Sequence, residues 1–331
     1  MTESTESAEE RLIARHLRPL ATHPGALGLR DDAAVLTPPP GCDLVLKTDG
    51  VIAGVHFFAD DPPDTIGRKA LRMNLSDLAA KGAKPLGFLL ALALPAGIDE
   101  AWLSAFAAGL GDDAVRYHCP LLGGDTDHTP GPISISIAAF GAVPFGRMVQ
   151  RATAKIGDCV MVTGTIGDAT FGLRLRRDRK LAERWRLTDA MARHLEERYL
   201  LPQPRNALAD AVLSHATAAM DVSDGLAGDL GKLCRASAVA AEIDVARVPF
   251  SNAARAVIAA EPALIEAALT GGDDYEILLT LPPERLAGFR AGAQAAGVAV
   301  TEIGRVQAGE GARFVDEGKP LAFARPSYSH F

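Results

Sequence analysis

The chain has 331 residues, of which 48% are hydrophobic and 5% are aromatic, and its formal net charge is -7. Its length and apolar content suit two domains with aliphatic cores, while the negative charge argues against a general nucleic-acid-binding protein. The four cysteines, Cys42, Cys119, Cys159 and Cys234, have no CxxC spacing, which argues against a zinc site or a disulfide framework and fits a reducing cytoplasm.

In the N-terminal half, we predict a helix over residues 8–20, a loop with a short strand in LRDDAAVLTPPPG, and a buried strand over 44–48 that ends at Asp49. DTIGRKALRMNLSDLAAKGA predicts a helix, LGFLLALALP a strand, IDEAWLSAFAAGLGDDAVRY a helix, PLLGGDTDH a strand end with a turn, and ISISIAAFGAV a strand. The apolar run PLGFLLALALP is shorter than the about 20 residues that span a membrane, and the acidic N-terminus is unlike a signal peptide. We therefore expect a soluble protein with no membrane partner.

The chain changes character between Arg147 and Asp158, which predicts two domains, residues 1–147 and 148–331. In the second domain we predict a strand over 159–163, a glycine-rich turn into a charged surface helix around 174–199, and a strand, turn and helix in AAMDVSDGLAGDLGKL. A strand over 276–281 and two short strands in AGVAVTEIGRVQAG complete it. Because strands alternate with helices in both halves, we predict an α/β (α+β) fold with two layered domains.

Aspartates recur where predicted strands end and predicted helices begin: Asp31, Asp32, Asp49, Asp77, Asp125, Asp127, Asp221, Asp224, Asp273 and Asp274. Taken singly, each aspartate is better explained as a turn residue or a helix N-cap than as a metal ligand. Taken together they predict a cation site, because two carboxylates about 4 Å apart repel by about 4 kcal/mol at an effective dielectric constant near 20. Hard oxygen ligands favour Mg²⁺, and Ca²⁺ remains an alternative without EF-hand spacing.

Glycine turns and helix starts accompany these carboxylates. Backbone N–H groups at a helix start bind anions, whereas aspartates bind cations, so a metal–nucleotide complex satisfies both. In MDVSDGLAGDL we predict that Asp221 and Asp224 face Mg²⁺ while Ser223 and the helix start face phosphate. The sequence contains no Walker A, GxGxxG or protein-kinase motif, and the GxxG of TGTIGD is weak on its own.

Seven segments occur in the order LRDDAAV, KTDGVIAGVHF, NLSDLAAKGAKP, LLGGDT, RATAKIGD, MDVSDGLAGDL and TGGDDYEI. Together they resemble the thiamine-monophosphate kinase family of the aminoimidazole-ribonucleotide synthetase-like ATPases, from about residue 8 to the terminal SYSHF. The combination is specific although each motif alone is weak. The resemblance implies a cytoplasmic homodimer, paired through its N-terminal sheets, that converts thiamine monophosphate and ATP into thiamine diphosphate and ADP with several Mg²⁺ ions.

The resemblance also implies roles for individual residues. The metal ligands would be Asp32, the backbone carbonyl of Lys47, Thr48, Asp49, Asp77, Asp125, Asp221 and Asp224. The nucleotide would contact Gly124, Asp125, Arg151 and Ser223, and thiamine monophosphate would contact His56, Asp273 and Tyr328, whose ring suits a cationic heterocycle. We assign no general base, because the phosphate oxygen of the substrate is itself a nucleophile and the transfer depends on positioning and charge neutralisation.

Three of these residues also fit ordinary structural roles, and two positions depart from the family pattern. His56 also fits a loop histidine, Arg151 a surface arginine, and Tyr328 ordinary C-terminal packing. Arg30 stands where the family has glycine, and Asp273 stands where glutamate is more frequent.

Two other functions remain open. One is a sibling synthetase forming aminoimidazole ribonucleotide or selenophosphate, although the latter needs an N-terminal cysteine and the first here is Cys42. The other is a non-enzymatic acidic metal-binding protein, which would bind metal without phosphoryl transfer and leave Arg151 and Ser223 unused.

Overall fold

The structure, a computed structural model, describes residues 7–325 and 327–328. Contacts within the chain divide it into an N-terminal unit, Met1–Leu78 with Lys84–Gly146, and a C-terminal unit, Ala79–Ala83 with Arg147–Phe331. Each unit contains one β-sheet with helices, so the predicted mixed α/β fold class is confirmed. Among the described helices, none combines the length and apolar character needed to cross a membrane.

The N-terminal unit is built on strands β1 (Cys42–Ile52), β2 (Lys84–Leu94), β3 (Leu121–His128) and β4 (Ser134–Pro144). Their order in the sheet is β1-β4-β2-β3, with β4 antiparallel to both of its neighbours and β3 parallel to β2. The main helices are α2 (Pro63–Ala80) and α3 (Glu100–Arg116). Helix α1 (Ala8–Leu12) precedes them and continues into short π- and 3₁₀-helical turns.

Helices α2 and α3 cross closely because glycine lies at their contact. A Cβ atom on Gly67 or Gly109 would come within 2.6 or 2.1 Å of a backbone oxygen on the facing helix. The buried guanidinium of Arg72 also donates to both carboxylate oxygens of Asp113, at 2.5 and 3.0 Å. These contacts hold α2 in place and thereby position Asp77 near the C-terminal end of that helix.

Among the residues that the structure describes, the C-terminal unit has seven strands: β5 (Cys159–Thr163), β6 (Ala218–Asp221), β7 (Ala240–Asp244), β8 (Ile277–Leu281), β9 (Val300–Gln307), β10 (Gly311–Asp316) and β11 (Lys319–Leu321). Their order is β11-β10-β7-β9-β5-β8-β6. Strands β7 and β10 are parallel, and the other neighbouring pairs are antiparallel.

In the described part of this unit, eight α-helices accompany the sheet: α4 (Asp168–Arg177), α5 (Leu181–Arg184), α6 (Asp189–Leu200), α7 (Ala209–His215), α8 (Leu226–Ser237), α9 (Asn252–Ala260), α10 (Leu264–Thr270) and α11 (Leu286–Ala295). Val160 and Val162 of β5 share an apolar cluster with α8, whereas Cys159 and Met161 share one with α7 and α11. Because successive side chains of a strand point to opposite faces, the sheet is covered by helices on both sides.

The helix predicted over 8–20 is α-helical only over Ala8–Leu12 and continues as π- and 3₁₀-helical turns. Three predicted strands or turns also take another form. Residues 34–39 form a loop and not a short strand, because the Val35 N–H donates to the Gly25 carbonyl (2.8 Å) and the prolines that follow have no N–H to donate. LLGGDTDH is a complete strand, β3, and not a turn, because it pairs in parallel with β2 over its length. The two short strands predicted in AGVAVTEIGRVQAG are one strand, β9, which pairs with both β5 and β7.

Strand β1 was predicted to be buried, and this is correct for only one of its faces. Val45 and Val51 are buried on the inner face, whereas Leu44 and Leu46 on the other face are 40% and 66% exposed. The strand is also longer than predicted, because it pairs with β4 from Cys42 to Ile52. Neighbouring apolar residues such as Val45 and Leu46 therefore lie on opposite faces of this edge strand, one buried and one exposed.

Candidate active site

Three charged side chains of the N-terminal unit meet on the inner face of the sheet. Lys47 and Asp49 are two residues apart on β1 and project from the same face, and Asp77 of α2 lies opposite them. Lys47 Nζ is 3.0 Å from Asp49 Oδ1 and 2.8 Å from Asp77 Oδ2. The structure thus brings together three residues that the sequence predicts as metal ligands, although it is the side chain of Lys47, and not its carbonyl, that contacts the carboxylates.

The carboxylates of Asp49 and Asp77 share one positive charge, the Lys47 ammonium. Their two oxygens are at most about 6 Å apart, because each lies within about 3 Å of the same nitrogen, and two unit charges at that distance repel by about 3 kcal/mol at an effective dielectric constant near 20. Partial burial by itself lowers the pKa of Lys47, but the negative charges of Asp77 and Asp49 outweigh it and raise that pKa. The ammonium is therefore charged and neutralises part of the carboxylate charge.

The other predicted metal ligands of this unit lie apart from the pair. Thr48 neighbours Asp49 on β1, so its side chain projects from the opposite, exposed face of the sheet. Asp32 lies exposed in a bend before β1. Asp125 lies exposed on β3, in the row of the sheet next to Asp49 but three strand spacings away, which is about 14 Å. Asp49 and Asp125 therefore cannot share one ion.

Within the ranges that the structure describes, no three His, Cys, Asp or Glu side chains lie close enough to hold a metal ion by themselves. This arrangement still fits Mg²⁺, because Mg²⁺ keeps several waters and is usually bound by one or two carboxylates together with substrate phosphates. The Asp49–Asp77 pair, already bridged by a cation, has the donor chemistry for such a site.

Gly124 and His56 of the same unit are held by the backbone around them. A Cβ atom on Gly124 would lie 1.8 Å from the carbonyl oxygen of Leu90, so the pairing of β3 with β2 requires glycine there. His56 Nδ1 accepts a hydrogen bond from the Ile52 N–H (3.1 Å), which places the proton of a neutral ring on Nε2. Arg30, which departs from the family pattern, is exposed.

In the C-terminal unit, the loop between β6 and α8 (residues 222–225) lies beside the segment 273–276. The Asp273 N–H donates to the Ser223 carbonyl (2.9 Å), and the Tyr275 N–H donates to the Val222 carbonyl (2.8 Å). Residues predicted to bind nucleotide and substrate are therefore direct neighbours. Asp221, another predicted metal ligand, ends β6 and is 5% exposed.

The C-terminal segment reaches the same loop. The Tyr328 N–H donates to the Asp224 carbonyl at 3.1 Å, and the ring of Tyr328 is half exposed. The structure thus brings Ser223, Asp224, Asp273 and Tyr328 into one neighbourhood. Arg151 lies exposed in a bend before β5, where its carbonyl accepts a hydrogen bond from the Ser237 hydroxyl (2.9 Å).

The sequence analysis missed Asp229, which organises this loop from α8. Its fully buried carboxylate accepts hydrogen bonds from the Ser223 N–H (2.9 Å) and the Asp224 N–H (2.8 Å), and also from Lys232 Nζ (2.8 Å). Lys232 contacts the Asp224 carboxylate as well. Burial raises the pKa of Asp229, although Lys232 opposes the shift. The sequence contains one indication of this role. Asp229 is three residues after Leu226, on the helix face where an apolar residue is expected, so a carboxylate there needs a buried partner.

A second buried network, also missed, supports the segment 273–276. The carboxylate of Glu276 is fully buried and accepts hydrogen bonds from Arg198 (2.8 Å), Arg205 (2.5 and 2.7 Å) and Thr163 (2.6 Å). The stretch around 174–199 was predicted as one surface helix, but the structure divides it among α4, α5 and α6. Arg198 is also not on the surface: it is 9% exposed because it pairs with Glu276. The network helps to hold the segment 273–276 in a strained backbone conformation, since Asp273 has φ +73°.

Asp168 joins three elements of the C-terminal unit at the start of α4. Its buried carboxylate accepts hydrogen bonds from Ser251 (2.5 Å) and Thr165 (2.6 Å) and lies 3.1 Å from His194 Nε2. Burial by itself raises the pKa of Asp168, but these hydrogen bonds outweigh it and lower that pKa. The bond to Asp168 raises the pKa of His194.

We expect the contribution of His194 to stability to depend on pH. Its folded pKa is raised, so the stabilisation is fully present below the ordinary value of about 6.5 and is lost as the pH rises through the raised value. His194→Gln should therefore lower the free energy of unfolding more at pH 5.5 than at pH 9, by less than about 1 kcal/mol because His194 is partly exposed. Urea denaturation at both pH values measures this, with His128→Gln as an exposed control; a loss independent of pH would contradict it.

A cavity of about 1160 Å³ in the N-terminal unit contains none of the predicted site residues. Its lining includes Pro40, Pro85 and Pro120, which lie at or just before the starts of β1, β2 and β3. Asp49 and Asp125 lie nearer the opposite, carboxyl ends of these strands, where ligands of open α/β sheets usually bind. The cavity is therefore separate from the Asp49–Asp77 pair.

Comparisons with known proteins agree over nearly the whole chain. Residues 30–143 match the family described as AIR synthase related protein, N-terminal domain, and residues 155–317 match its C-terminal domain. The chain is 44% identical to a thiamine-monophosphate kinase of Caulobacter vibrioides, over 96% of this chain and 89% of the relative. A crystal structure of thiamine-monophosphate kinase from Stenotrophomonas maltophilia has a TM-score of 0.83 and 37% identity, covering 96% of this chain and 98% of that one. A structure described as AaThiL complexed with AMPPCP and TMP has a TM-score of 0.78 and 33% identity, covering 91% of each chain.

Proposed function

The chain belongs to the thiamine-monophosphate kinase family of AIR synthase related proteins, and we propose that it transfers the γ-phosphoryl group of ATP to thiamine monophosphate, forming thiamine diphosphate and ADP. The observation that carries the proposal is the neighbourhood of Ser223, Asp224, Asp273 and Tyr328. One relative of this family was solved with AMPPCP and TMP together, which supports two phosphorylated ligands. Location in the cytoplasm is part of the proposal and is supported by four free cysteine thiols.

Mg²⁺ is part of the proposal as well. In the N-terminal unit, Asp49 and Asp77 would hold one Mg²⁺ ion, and Asp32, Thr48, Asp125 and the Lys47 carbonyl would contribute ligands to further ions. Asp221 and Asp224 would hold Mg²⁺ in the C-terminal unit. The fit rests on the Asp49–Asp77 pair, whose two carboxylates contact the Lys47 ammonium. When bound, Mg²⁺ supplies neutralisation of the phosphate charge.

The residues of the chain itself position the two substrates. The Ser223 hydroxyl and the N-terminus of α8 would bind phosphate oxygens, because a helix N-terminus favours anions. Arg151 and Gly124 would contact the nucleotide, while His56, Asp273 and Tyr328 would contact thiamine monophosphate, with the Tyr328 ring against the cationic heterocycle. No general base is needed, since the attacking phosphate oxygen is already ionised at neutral pH, and in-line transfer depends on alignment.

We include a homodimer in the proposal, paired through the outer face of the N-terminal sheet. Leu46 of β1 is 66% exposed and pairs with Phe140 of β4, which in turn is opposite Gly87 of β2. Leu44, on the same face, is 40% exposed and pairs with Ala142. An apolar sheet face of this kind, with its edge strand β1 also available, fits a second copy of the same chain by two-fold symmetry.

Leu46→Asp is expected to convert the dimer into a monomer, because the charged side chain would be buried without a partner in each of two symmetric positions. Sedimentation velocity at micromolar concentration measures the change. Ile156→Asp is a matched control, since Ile156 of the C-terminal unit is also 66% exposed and should leave the mass of the dimer intact. A monomeric wild-type protein, or a dimeric Leu46→Asp variant, would refute this interface.

The function is tested by incubating the purified protein with Mg-ATP and thiamine monophosphate and detecting thiamine diphosphate by thiochrome fluorescence. Product that requires both ATP and Mg²⁺ supports the kinase. With no product and both substrates intact, the same protein is assayed with a formylglycinamidine ribonucleotide, the substrate of the sibling synthetase. Mg²⁺ binding without turnover of either substrate would favour the metal-binding protein.

A further inference from the structure

Lys47 has a charge at a position where the fold calls for an apolar side chain. It lies on the inner face of β1 between Val45, which is 7% exposed, and the charged Asp49, with Val51, 1% exposed, beyond them. Its partner across the sheet is Ala139, which is fully buried. Packing of the sheet therefore does not explain the ammonium group of Lys47. Its contacts to the carboxylates of Asp49 and Asp77 do explain it.

We propose that the Lys47 ammonium is a resident cation of the Asp49–Asp77 pair, which Mg²⁺ must displace in order to bind there. The ammonium and Mg²⁺ need the same two oxygens, and both cannot lie within about 3 Å of them because their positive charges repel. The lysine can leave, since its stem is flexible and its side chain is 29% exposed. Free Mg²⁺ consequently binds weakly to this pair.

A nucleotide changes the competition between the Lys47 ammonium and Mg²⁺ for the two carboxylates. This part of the proposal rests on the proposed function. Once displaced, the Lys47 ammonium needs another anion, and the phosphates that arrive with Mg²⁺ supply one. Mg²⁺ and nucleotide then bind with positive coupling, because each favours the same displaced position of Lys47. In the metal-free protein the same lysine keeps the two aspartates in position.

The test is isothermal titration of the full chain with MgCl₂ alone, without nucleotide or thiamine monophosphate. Lys47→Met should bind Mg²⁺ about ten-fold more tightly than wild type, a factor within the usual range of coupling between sites. Lys47→Arg keeps the charge and should bind Mg²⁺ as wild type does. Lys84→Met is the matched control, because Lys84 is an exposed lysine on β2 of the same unit. Unchanged or weaker Mg²⁺ binding by Lys47→Met would overturn the proposal.

Two further measurements keep the result interpretable. Without metal, Lys47→Met should melt at a lower temperature than wild type and recover on addition of Mg²⁺; if it does not fold, Lys47→Gln, which keeps a polar group between the carboxylates, serves in the same titration. ADP should raise the Mg²⁺ affinity of Lys47→Met by a smaller factor than that of wild type, and an equal factor would refute the coupling.

The titration with MgCl₂ alone involves no turnover, so its result does not depend on activity. If the wild-type protein were inactive as a kinase, the proposed function would be overturned and the Lys47 titration would remain valid. If the kinase were active but Lys47→Met left the Mg²⁺ affinity unchanged, only the role of Lys47 would be overturned.

Discussion

Asp77→Asn is expected to lower kcat/KM for thiamine diphosphate formation by about 100- to 1000-fold, a loss typical of removing a group that stabilises charge in the transition state. The amide keeps the shape of the side chain but removes half of the negative charge that Asp49 and Asp77 present to a cation. Asp77 is 24% exposed on its side chain, so the free energy of unfolding should change by less than about 1 kcal/mol. Asp49→Asn should behave in the same way.

The measurement is the rate of thiamine diphosphate formation over a range of Mg²⁺ concentrations, together with a thermal melt of each variant. Asp64→Asn provides the matched control, because Asp64 lies in the first turn of the same helix, α2, far along it from Asp77. This control should stay within a few-fold of wild type. Full activity of Asp77→Asn at low Mg²⁺ would show that the pair does not bind the metal of the reaction.

Asp229→Ala is expected to lower kcat/KM by about 100-fold, because it releases the loop that presents Ser223 and Asp224, and a displacement of about 1 Å at a reacting site has effects of this size. It should also cost about 2 to 3 kcal/mol of stability, since two N–H groups and Lys232 lose a fully buried acceptor. Asp229 is a positioning residue, so KM for ATP should rise more than kcat falls.

Lys232→Met separates the two parts of this effect. It removes the ion pairs with Asp229 and Asp224 but leaves the Ser223 and Asp224 N–H groups bonded to the Asp229 carboxylate. We therefore expect a smaller rise in KM than for Asp229→Ala. Urea denaturation and initial-rate kinetics on the same preparations give the two quantities. If Asp229→Ala lost stability but kept the wild-type KM, Asp229 would support only the fold.

Much of this protein follows from local sequence patterns. The apolar periodicity of residues 63–80 and 100–116 predicts α2 and α3, and the alternation in ISISIAAFGAV predicts β4, because both signals depend on neighbours within one element. The repeated aspartates beside glycines predict a cation and phosphate site for the same reason. The family resemblance names ligands for that site, and the structure brings Asp49 to Asp77, and Ser223 and Asp224 to Asp273 and Tyr328.

Local patterns fail where the position of a side chain depends on a distant partner. The extent of β3 depends on parallel pairing with β2, and the burial of Arg198 depends on Glu276, which lies 78 residues away. Lys47 is two residues from Asp49, but its second carboxylate comes from α2, so its role as a bridge is invisible in the sequence.

By itself, the sequence determined the fold class and most elements and proposed residues for the site, because periodicity and motif order are properties of short segments. Only the tertiary structure decided which cation the Asp49–Asp77 pair holds and which carboxylate supports the Ser223–Asp224 loop. Both depend on charged groups from different segments that packing brings within about 3 Å. Their interaction energy depends on that distance, which no single segment of the sequence specifies.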